Sequence, residues 1–268
     1  MDRVLVVGRH SFIAGSILTR FNDDIEIRAI SHDVMYDIDM SDVSCVINLS
    51  LNPKFKNSVY DESIDADLNV ARLAAKHRAH YIMMSSRKVY GISPILSTHK
   101  EDDPINPADH YGHNKAISES KIRAELGSSA TIVRGSNIFG IEPGRPSFMG
   151  WCIDQLLANN TICYDLNPGI KRDFIPVTTA CDALIRLAVI KPGGVFNLGS
   201  GIATDVGNVA TALIQGYGGG SLVVNGTKMH DQFVLDNSKL SSLTGIALWS
   251  DDVLESVRHI GRFLCRTW

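Results

Sequence analysis

The sequence predicts an α/β protein built on a doubly wound parallel sheet, and three observations carry that expectation. Short apolar runs alternate with amphipathic stretches from Arg3 through Arg134, the rhythm of repeated β-α units. The first run, Arg3 to Val7, meets a glycine turn and then a helical pattern through Phe21. A later run, Tyr81 to Ser85, ends in two serines, Ser85 and Ser86, at the strand end where open α/β sheets place their ligands.

Composition sets the limits. The chain has 268 residues, 44% hydrophobic and 21% charged, with a formal net charge of −3. That length supports a full α/β core with a lobe attached. The weak negative charge gives no electrostatic case for a nucleic-acid or membrane partner. The start, MDRVLVVG, enters an apolar strand without a signal-peptide pattern, and no apolar run reaches the length of a membrane span. Cys45, Cys152, Cys163, Cys181 and Cys265 are scattered, odd in number and never in a C-x-x-C pair. They point to a reducing compartment, the cytoplasm, and away from a structural zinc or any other metal site.

Each element follows in order. After Val7 the turn reads Gly8-Arg9-His10-Ser11-Phe12-Ile13-Ala14. A strand, a turn and a helix open a dinucleotide fold, with pyrophosphate at the helix N-terminus. The spacing is that of G-x-x-G-x-x-G, but Ser11 and Ala14 stand at the second and third glycine positions. Alanine is a mild change for helix packing; serine adds a Cβ where phosphate must approach, and a hydroxyl that can donate to it. The second strand, Ile25 to Ile30, ends in Ser31-His32-Asp33. An acid at this strand end meets a free ribose 2′-hydroxyl; here Ser31 and His32 occupy it, and Arg9 lies where a 2′-phosphate would. The pattern favours NADP(H), with NAD(H) as the alternative. The run Tyr36 to Met40 precedes a fourth strand, Cys45 to Leu49, and Ser63 to His77 has the apolar spacing of an amphipathic helix.

The chemistry-bearing stretch follows the serines. Tyr111 and Lys115 are four residues apart on a predicted helix that begins near Tyr111, so they share a face. An ammonium beside a phenol favours the phenolate and makes the tyrosine a better proton-transfer group at neutral pH. Ser86 offers a hydroxyl beside it. Taken singly, each feature has an ordinary reading: a surface helix pair, or turn-forming serines.

Together the motifs carry a resemblance. Ser85-Ser86-Arg87-Lys88-Val89-Tyr90-Gly91 is similar to S-S-x-x-V-Y-G, and Tyr111-Gly112-His113-Asn114-Lys115 to Y-G-x-x-K. Val133 to Gly140 resembles L-R-x-x-N-x-x-G, Arg172 to Val177 resembles R-D-F-I-x-V, and Phe196 to Gly201 resembles Y-N-x-G-S-G. In this order, over almost the whole chain, they resemble the extended short-chain dehydrogenases/reductases, in their nucleotide-sugar epimerase/dehydratase/reductase group.

The resemblance implies a Rossmann domain over 1–141, rejoined by 173–199, and a small C-terminal substrate-binding lobe from 142–172 and 200–268. It implies Ser86, Tyr111 and Lys115 as the catalytic set, with Lys115 also holding the nicotinamide ribose. The cofactor would lie on Gly8, Arg9, Ser11, Phe12 and Ile13 at the turn, and on Ser31 and His32 at the second strand. Asp39 and Met40 would border the adenine, and Leu49, Ser50 and Ser85 would complete the site. Asn137 would stand at the substrate mouth and Arg172 would hold the diphosphate of a nucleotide-sugar. A homodimer through the Ser63 and Tyr111 helices is implied as well.

One departure narrows the chemistry. Sugar 4,6-dehydratases of the group carry an Asp-Glu pair directly after the catalytic hydroxyl residue; here Arg87 and Lys88 stand there and cannot act as acids. Reduction of a 4-keto sugar and 4-epimerisation remain, and the basic turn and the shorter chain lean towards reduction. A non-catalytic dinucleotide sensor on the same fold is the rival from another class, favoured by the irregular glycine turn and opposed by the intact serine, tyrosine and lysine.

The last third predicts helices over Phe148 to Asn159, Val206 to Gln215 and Asp251 to Leu264, a turn at Gly218 to Gly220 and a strand from Ser221 to Asn225. Phe148 and Trp151 are expected in the core, and His110 and His113 at a helix start.

Overall fold

The computed structural model describes residues 3–21 and 25–267. Met1 and Asp2, at the start of the apolar N-terminal stretch, lie outside the described residues. Six parallel strands form the central sheet. In chain order the elements begin β1 (Arg3–Val7), α1 (Phe12–Arg20), β2 (Glu26–Ile30), β3 (Cys45–Asn48), α2 (Ala66–Lys76) and β4 (His80–Ser86). They continue with β5 (Ser97–His99), α3 (His110–Leu126), β6 (Ala130–Gly135), β7 (Asn137–Phe139) and α4 (Phe148–Asn159). Next come β8 (Thr161–Leu166), β9 (Lys171–Arg172), β10 (Phe174–Pro176), α5 (Val177–Ile190) and β11 (Gly194–Leu198). The chain closes with β12 (Thr204–Asp205), α6 (Val206–Tyr217), β13 (Ser221–Lys228), β14 (Phe233–Leu235), α7 (Ser238–Thr244) and α8 (Ser250–Thr267).

The main sheet runs β2-β1-β3-β4-β6-β11. Its strands are apolar on both faces, as a sheet covered on both sides requires. One face packs Val4, Val6 and Ile82 against Ala14 and Ile17 of α1 and Leu184 and Ala188 of α5. The other packs Leu5, Tyr81 and Ile132 against Leu68 and Ala71 of α2 and Ile122 of α3. The chain goes from β1 out to β2 and then back across β1 to β3. That reversal is the switch point where open α/β sheets bind ligands, at the strand carboxyl ends.

Two sequence expectations are corrected here. Tyr36 to Met40 forms turns, so Cys45–Asn48 is the third strand and not the fourth. The alternation of Tyr36, Ile38 and Met40 with aspartates mimics a strand, but Met40 simply drops into the core at 1% exposure while Asp39 accepts from the Ser41 amide at 2.9 Å. The α2 helix starts at Ala66 instead of Ser63, because Asp65 caps it, accepting from the Leu68 amide at 3.1 Å. Such a cap is worth about 1 kcal/mol.

A second core holds α4, α6 and α8 together through Ile153, Leu156, Val209 and Leu213, with Val253, Val257, Ile260 and Leu264 from the apolar face of α8. Helices α6 and α8 touch through Gly216 and Gly261, where any Cβ would meet the opposite backbone. Helix α4 spans the expected residues, but Trp151 is 38% exposed and edges onto Tyr164 instead of entering the core. No helix among the described residues is long and apolar enough to cross a membrane.

Candidate active site

A cavity of about 640 Å³ opens at the switch point. Its floor is the first turn of α1. Gly8 has φ +100°, and an added Cβ would lie 2.7 Å from the Ser50 amide nitrogen. Glycine is therefore required, both for the dihedral and for the close approach of the β3 end. The turn closes by hydrogen bonds from the Gly8 and Arg9 amides to the Ile30 carbonyl at 2.8 and 3.0 Å. Ser11 then caps α1, its Oγ accepting from the Ala14 amide at 3.1 Å. Its hydroxyl proton stays available, and the Phe12 and Ile13 amides have no hydrogen-bond acceptor among the described residues. Unbonded amides at a helix start facing a cavity suit an anionic phosphate. Ser11 thus replaces the glycine without closing the site, and the residues present fit a dinucleotide.

The cavity brings together most of the expected site. Ser11, Phe12, Ile13, Leu49, Ser50, Ser85, Ser86, Tyr111 and Lys115 all line it. Ser86 ends β4 and caps the following turn, accepting from the Lys88 amide at 3.3 Å. Tyr111 and Lys115 come from the first turns of α3, which Asp109 caps through the Gly112 amide at 2.8 Å.

The environment of Lys115 differs from the simple pair. Its ammonium lies 5.8 Å from the centre of the Tyr111 ring, but it donates to Asp67 Oδ2 at 2.5 Å and to the Met84 carbonyl at 2.8 Å. Both Lys115 and Asp67 are buried. Asp67 Oδ1 accepts in turn from Asn48 at 2.7 Å and from the Tyr81 hydroxyl at 3.3 Å. Burial pulls the Lys115 ammonium down, and the carboxylate of Asp67 more than restores it, so it stands above its ordinary value. The charge is fixed in place, with two of its three protons committed and one left for a ligand.

Behind Ser85 a second buried network holds the strand end. Ser85 Oγ donates to Glu119 at 2.5 Å, Arg134 Nη2 to the same carboxylate at 2.7 Å, and Arg134 Nη1 to the Tyr90 hydroxyl at 3.0 Å. The Tyr90 hydroxyl donates to Asn197 at 2.7 Å. This links the S-S-x-x-V-Y-G, R-x-x-N and N-x-G-S-G blocks.

Other expected residues stand elsewhere. Arg9 is exposed at the turn and Asp39 is exposed, and neither lines the cavity. Met40 is buried in the core and offers no surface to an adenine. Ser31 follows the end of β2, and His32 lines a smaller adjoining cavity of about 200 Å³ with Ser50 and Leu51. Asn137 spends its side-chain amide on the Asp173 carbonyl at 2.8 Å, while its neighbours Ser136 and Ile138 line the cavity. Arg172 donates to the Asp231 carbonyl at 3.2 Å and meets the His230 ring at 3.1 Å, outside the cavity lining. Asp173 does not pair with it. That buried carboxylate accepts from the Ser200, Gly201 and Leu235 amides at 2.8, 3.1 and 3.1 Å.

Arg87 and Lys88 have structural partners. Arg87 pairs with buried Asp231 and sits 4.0 Å over the Phe233 ring, while Lys88 reaches Asp109 at 2.5 Å. His110 and His113 lie exposed in the first turn of α3. Among the described residues no cluster of His, Cys, Asp or Glu is placed to hold a metal ion. Sequence reasoning missed Asp67, Glu142 and Arg145. Asp67 and Lys115 are 48 residues apart, and no spacing rule links them.

Comparison with known proteins agrees with this frame. The chain is 30% identical over 150 residues to a dTDP-6-deoxy-L-talose 4-dehydrogenase (NAD(P)(+)) of Kitasatospora kifunensis, covering 52% of this chain and 47% of that protein. It is 25% identical over 261 residues to the low-salt glycan biosynthesis protein Agl12 of Haloferax volcanii, covering 92% and 80%. The chain spans about half the length of several curated relatives it matches. Among solved structures, a UDP-N-acetylglucosamine 4-epimerase from Methanobrevibacter ruminantium M1, in complex with UDP-N-acetylmuramic acid, superimposes with TM-score 0.83. It is 20% identical and the match covers 100% of this chain and 99% of that one, which shows the shared fold. A family model matches residues 4–199, a span that carries both the glycine turn and the tyrosine helix, and the chain belongs to the NAD dependent epimerase/dehydratase family.

Proposed function

We propose that this protein is an NAD(P)-dependent oxidoreductase acting on a nucleotide-sugar, and that it reduces a 4-keto sugar with Tyr111 as general acid. The observation that carries the reading is the convergence of Ser86, Tyr111 and Lys115 on one cavity with the phosphate turn. Bound nicotinamide supplies the hydride. Tyr111 gives its proton to the sugar oxygen, Ser86 donates a hydrogen bond to that oxygen, and Lys115 uses its remaining proton to orient the ribose and the phenol. Asp67 keeps Lys115 charged and aimed. Arg87 and Lys88, both committed to carboxylates, supply no acid for dehydration. A relative that is a 4-dehydrogenase using NAD(P)⁺ supports chemistry at C4, since its reverse is the reduction proposed here.

The substrate-binding lobe is assigned to 142–172 and 200–268, with Asn137 and Arg172 at its edge and the diphosphate as the group Arg172 would meet. A homodimer through α2 and α3 belongs to the same reading. The second reading is 4-epimerisation with a retained NAD; the fold shared with a 4-epimerase favours it. Purified protein mixed with NADPH and a panel of nucleotide 4-keto sugars decides between them. Loss of nicotinamide absorbance in proportion to sugar supports the reductase. No consumption, with NAD⁺ retained through purification and C4 epimers interconverting, overturns it in favour of the epimerase.

A further inference from the structure

The cavity lining holds a cation that the proposed proton transfer leaves unused. Between β7 and α4 the chain runs along the cavity wall, and Arg145 lines the same space as Phe12 and Ile13 at the start of α1. The Arg145 side chain is 37% exposed, so solvent reaches it. Its Nη1 is spent on the wall, donating to Glu142 Oε2 and, at 3.3 Å, to the Ile138 carbonyl. Nε and Nη2 have no acceptor among the described residues. Those two nitrogens share the guanidinium edge opposite Nη1, a fork that grips an oxyanion with two parallel hydrogen bonds.

The chain beneath this arginine is fixed. Gly144 donates its amide to Asp154 of α4 at 2.8 Å, and the Arg145 carbonyl accepts from the Ser147 amide at 2.7 Å. Gly150 of α4 packs on that carbonyl, where any Cβ would collide with it. The guanidinium sits 4.6 Å over the Phe12 ring. Glu142, whose own side chain is only 1% exposed, braces it from behind. A side chain held on several sides loses little freedom when it binds, so more of the interaction appears as affinity.

Phe12 joins this fork to a second set of donors, since its amide and that of Ile13 are unbonded at the first turn of α1. The lining is cationic as a whole. Lys56, Lys115 and Arg145 stand against the single carboxylate of Glu142, which Arg145 already pairs.

We propose that Arg145 is a binding residue for the diphosphate of the dinucleotide, its Nε–Nη2 edge donating to phosphate oxygens opposite the Phe12 and Ile13 amides. The inference rests on the cavity being a dinucleotide site. The anion is then held from two elements, the first turn of α1 and the segment before α4, with Glu142 as the positioning residue that occupies Nη1. A nucleotide-sugar carries a diphosphate too, but the contact with Phe12 places the fork at the α1 end of the cavity, where the dinucleotide's phosphates belong.

The test needs no turnover. NADH and NADPH are titrated by nicotinamide fluorescence, and UDP-glucose by calorimetry, into wild type, Arg145→Met and Arg145→Lys. Arg145→Met keeps the stem and removes the fork. Both dinucleotide dissociation constants should rise by about ten- to a hundred-fold, the worth of a charge-assisted hydrogen bond, while that of UDP-glucose holds. Arg145→Lys keeps the charge without the bidentate edge and should recover only part of the loss. Unchanged dinucleotide constants in a folded Arg145→Met overturn the proposal. A rise confined to UDP-glucose overturns it as well and gives the arginine to the sugar's diphosphate. If Arg145→Met fails to fold because Glu142 is left unpaired, Arg145→Met combined with Glu142→Gln removes both charges, and the same outcomes decide. Wild type binding neither dinucleotide overturns the reading of the cavity and this inference together. Wild type binding normally beside an unaltered variant sinks the Arg145 assignment alone.

Discussion

The two sides of the cavity are built by different means. One side, β4 and α3, presents Ser86, Tyr111 and Lys115 from regular elements whose caps and buried partners hold them. The other, from Ser136 to Arg145, is the short strand β7 followed by irregular chain, fastened by side-chain contacts, Arg145 to Glu142 and Asn137 to the Asp173 carbonyl. Regular elements give fixed geometry, which chemistry at one atom demands. Irregular segments on a rigid scaffold vary easily, which suits choosing among ligands. On the proposed function, reaction type and ligand choice would be held by separate parts of this chain and should fail separately.

The largest expected effect is on the regular side. Tyr111→Phe keeps the ring and removes the proton. Turnover should fall by about 10²–10⁴-fold while dinucleotide and nucleotide-sugar affinities hold. A variant within a few-fold of wild type would remove Tyr111 from the reaction and dissolve the contrast between the two sides.

Next comes the partner that fixes Lys115. Asp67→Ala leaves a buried ammonium without its carboxylate, and breaking such a pair from one side costs about 3–5 kcal/mol. Denaturant unfolding should show that loss. A change below about 1 kcal/mol would mean that Lys115 finds other compensation and that Asp67 does not position it. The pair also changes the argument made from sequence alone. A Y-x-x-x-K spacing suggests a bare charge acting on a phenol, whereas here most of that charge answers to Asp67.

How much was legible follows the same division. Strands of four to seven apolar residues, the capped helices and the serine, tyrosine and lysine blocks are local patterns, so one sequence displays them. Tyr36 to Met40 has the period of two that a strand shows, yet only Met40 enters the core while Tyr36 stays 65% exposed. Trp151 was expected in the core, yet one helix face ends there and its ring stays 38% exposed. The pairs Lys115 with Asp67, Arg87 with Asp231 and Arg134 with Glu119 join distant or unmarked positions. They exist only once the sheet order brings those strand ends together.

Arg172, in β9 and outside the cavity lining, tests the proposed substrate-binding lobe. If it meets a diphosphate, Arg172→Ala should weaken nucleotide-sugar binding by about ten- to a hundred-fold, the worth of one charge-assisted hydrogen bond, with dinucleotide affinity unchanged. If its bonds to the Asp231 carbonyl and His230 are its whole task, the variant should lose stability and keep affinity. Calorimetry beside a melting curve separates the two.

The smallest effect belongs to Arg9. From its position in the turn, a 2′-phosphate would gain a charge-assisted hydrogen bond and NADPH would be preferred strongly. In the structure Arg9 is exposed and lies off the cavity wall, and an exposed ion pair is worth only about 0.2–1 kcal/mol. That corresponds to a preference of less than about fivefold for NADPH over NADH. It should shrink further as salt rises, because water and counter-ions screen the pair. Ser31 at the β2 end adds a hydroxyl, and Asp33 sits two residues beyond in an exposed turn, so among the described residues there no buried carboxylate would oppose a phosphate. Measuring both dissociation constants at low and high salt, in wild type and Arg9→Ala, decides the matter. Equal constants that the substitution leaves untouched would place cofactor choice elsewhere, with His32 and its adjoining cavity next in line. A preference above tenfold that vanishes in Arg9→Ala would instead show the turn closing on the phosphate, and would add Arg9 to the cavity's ligand-choosing side.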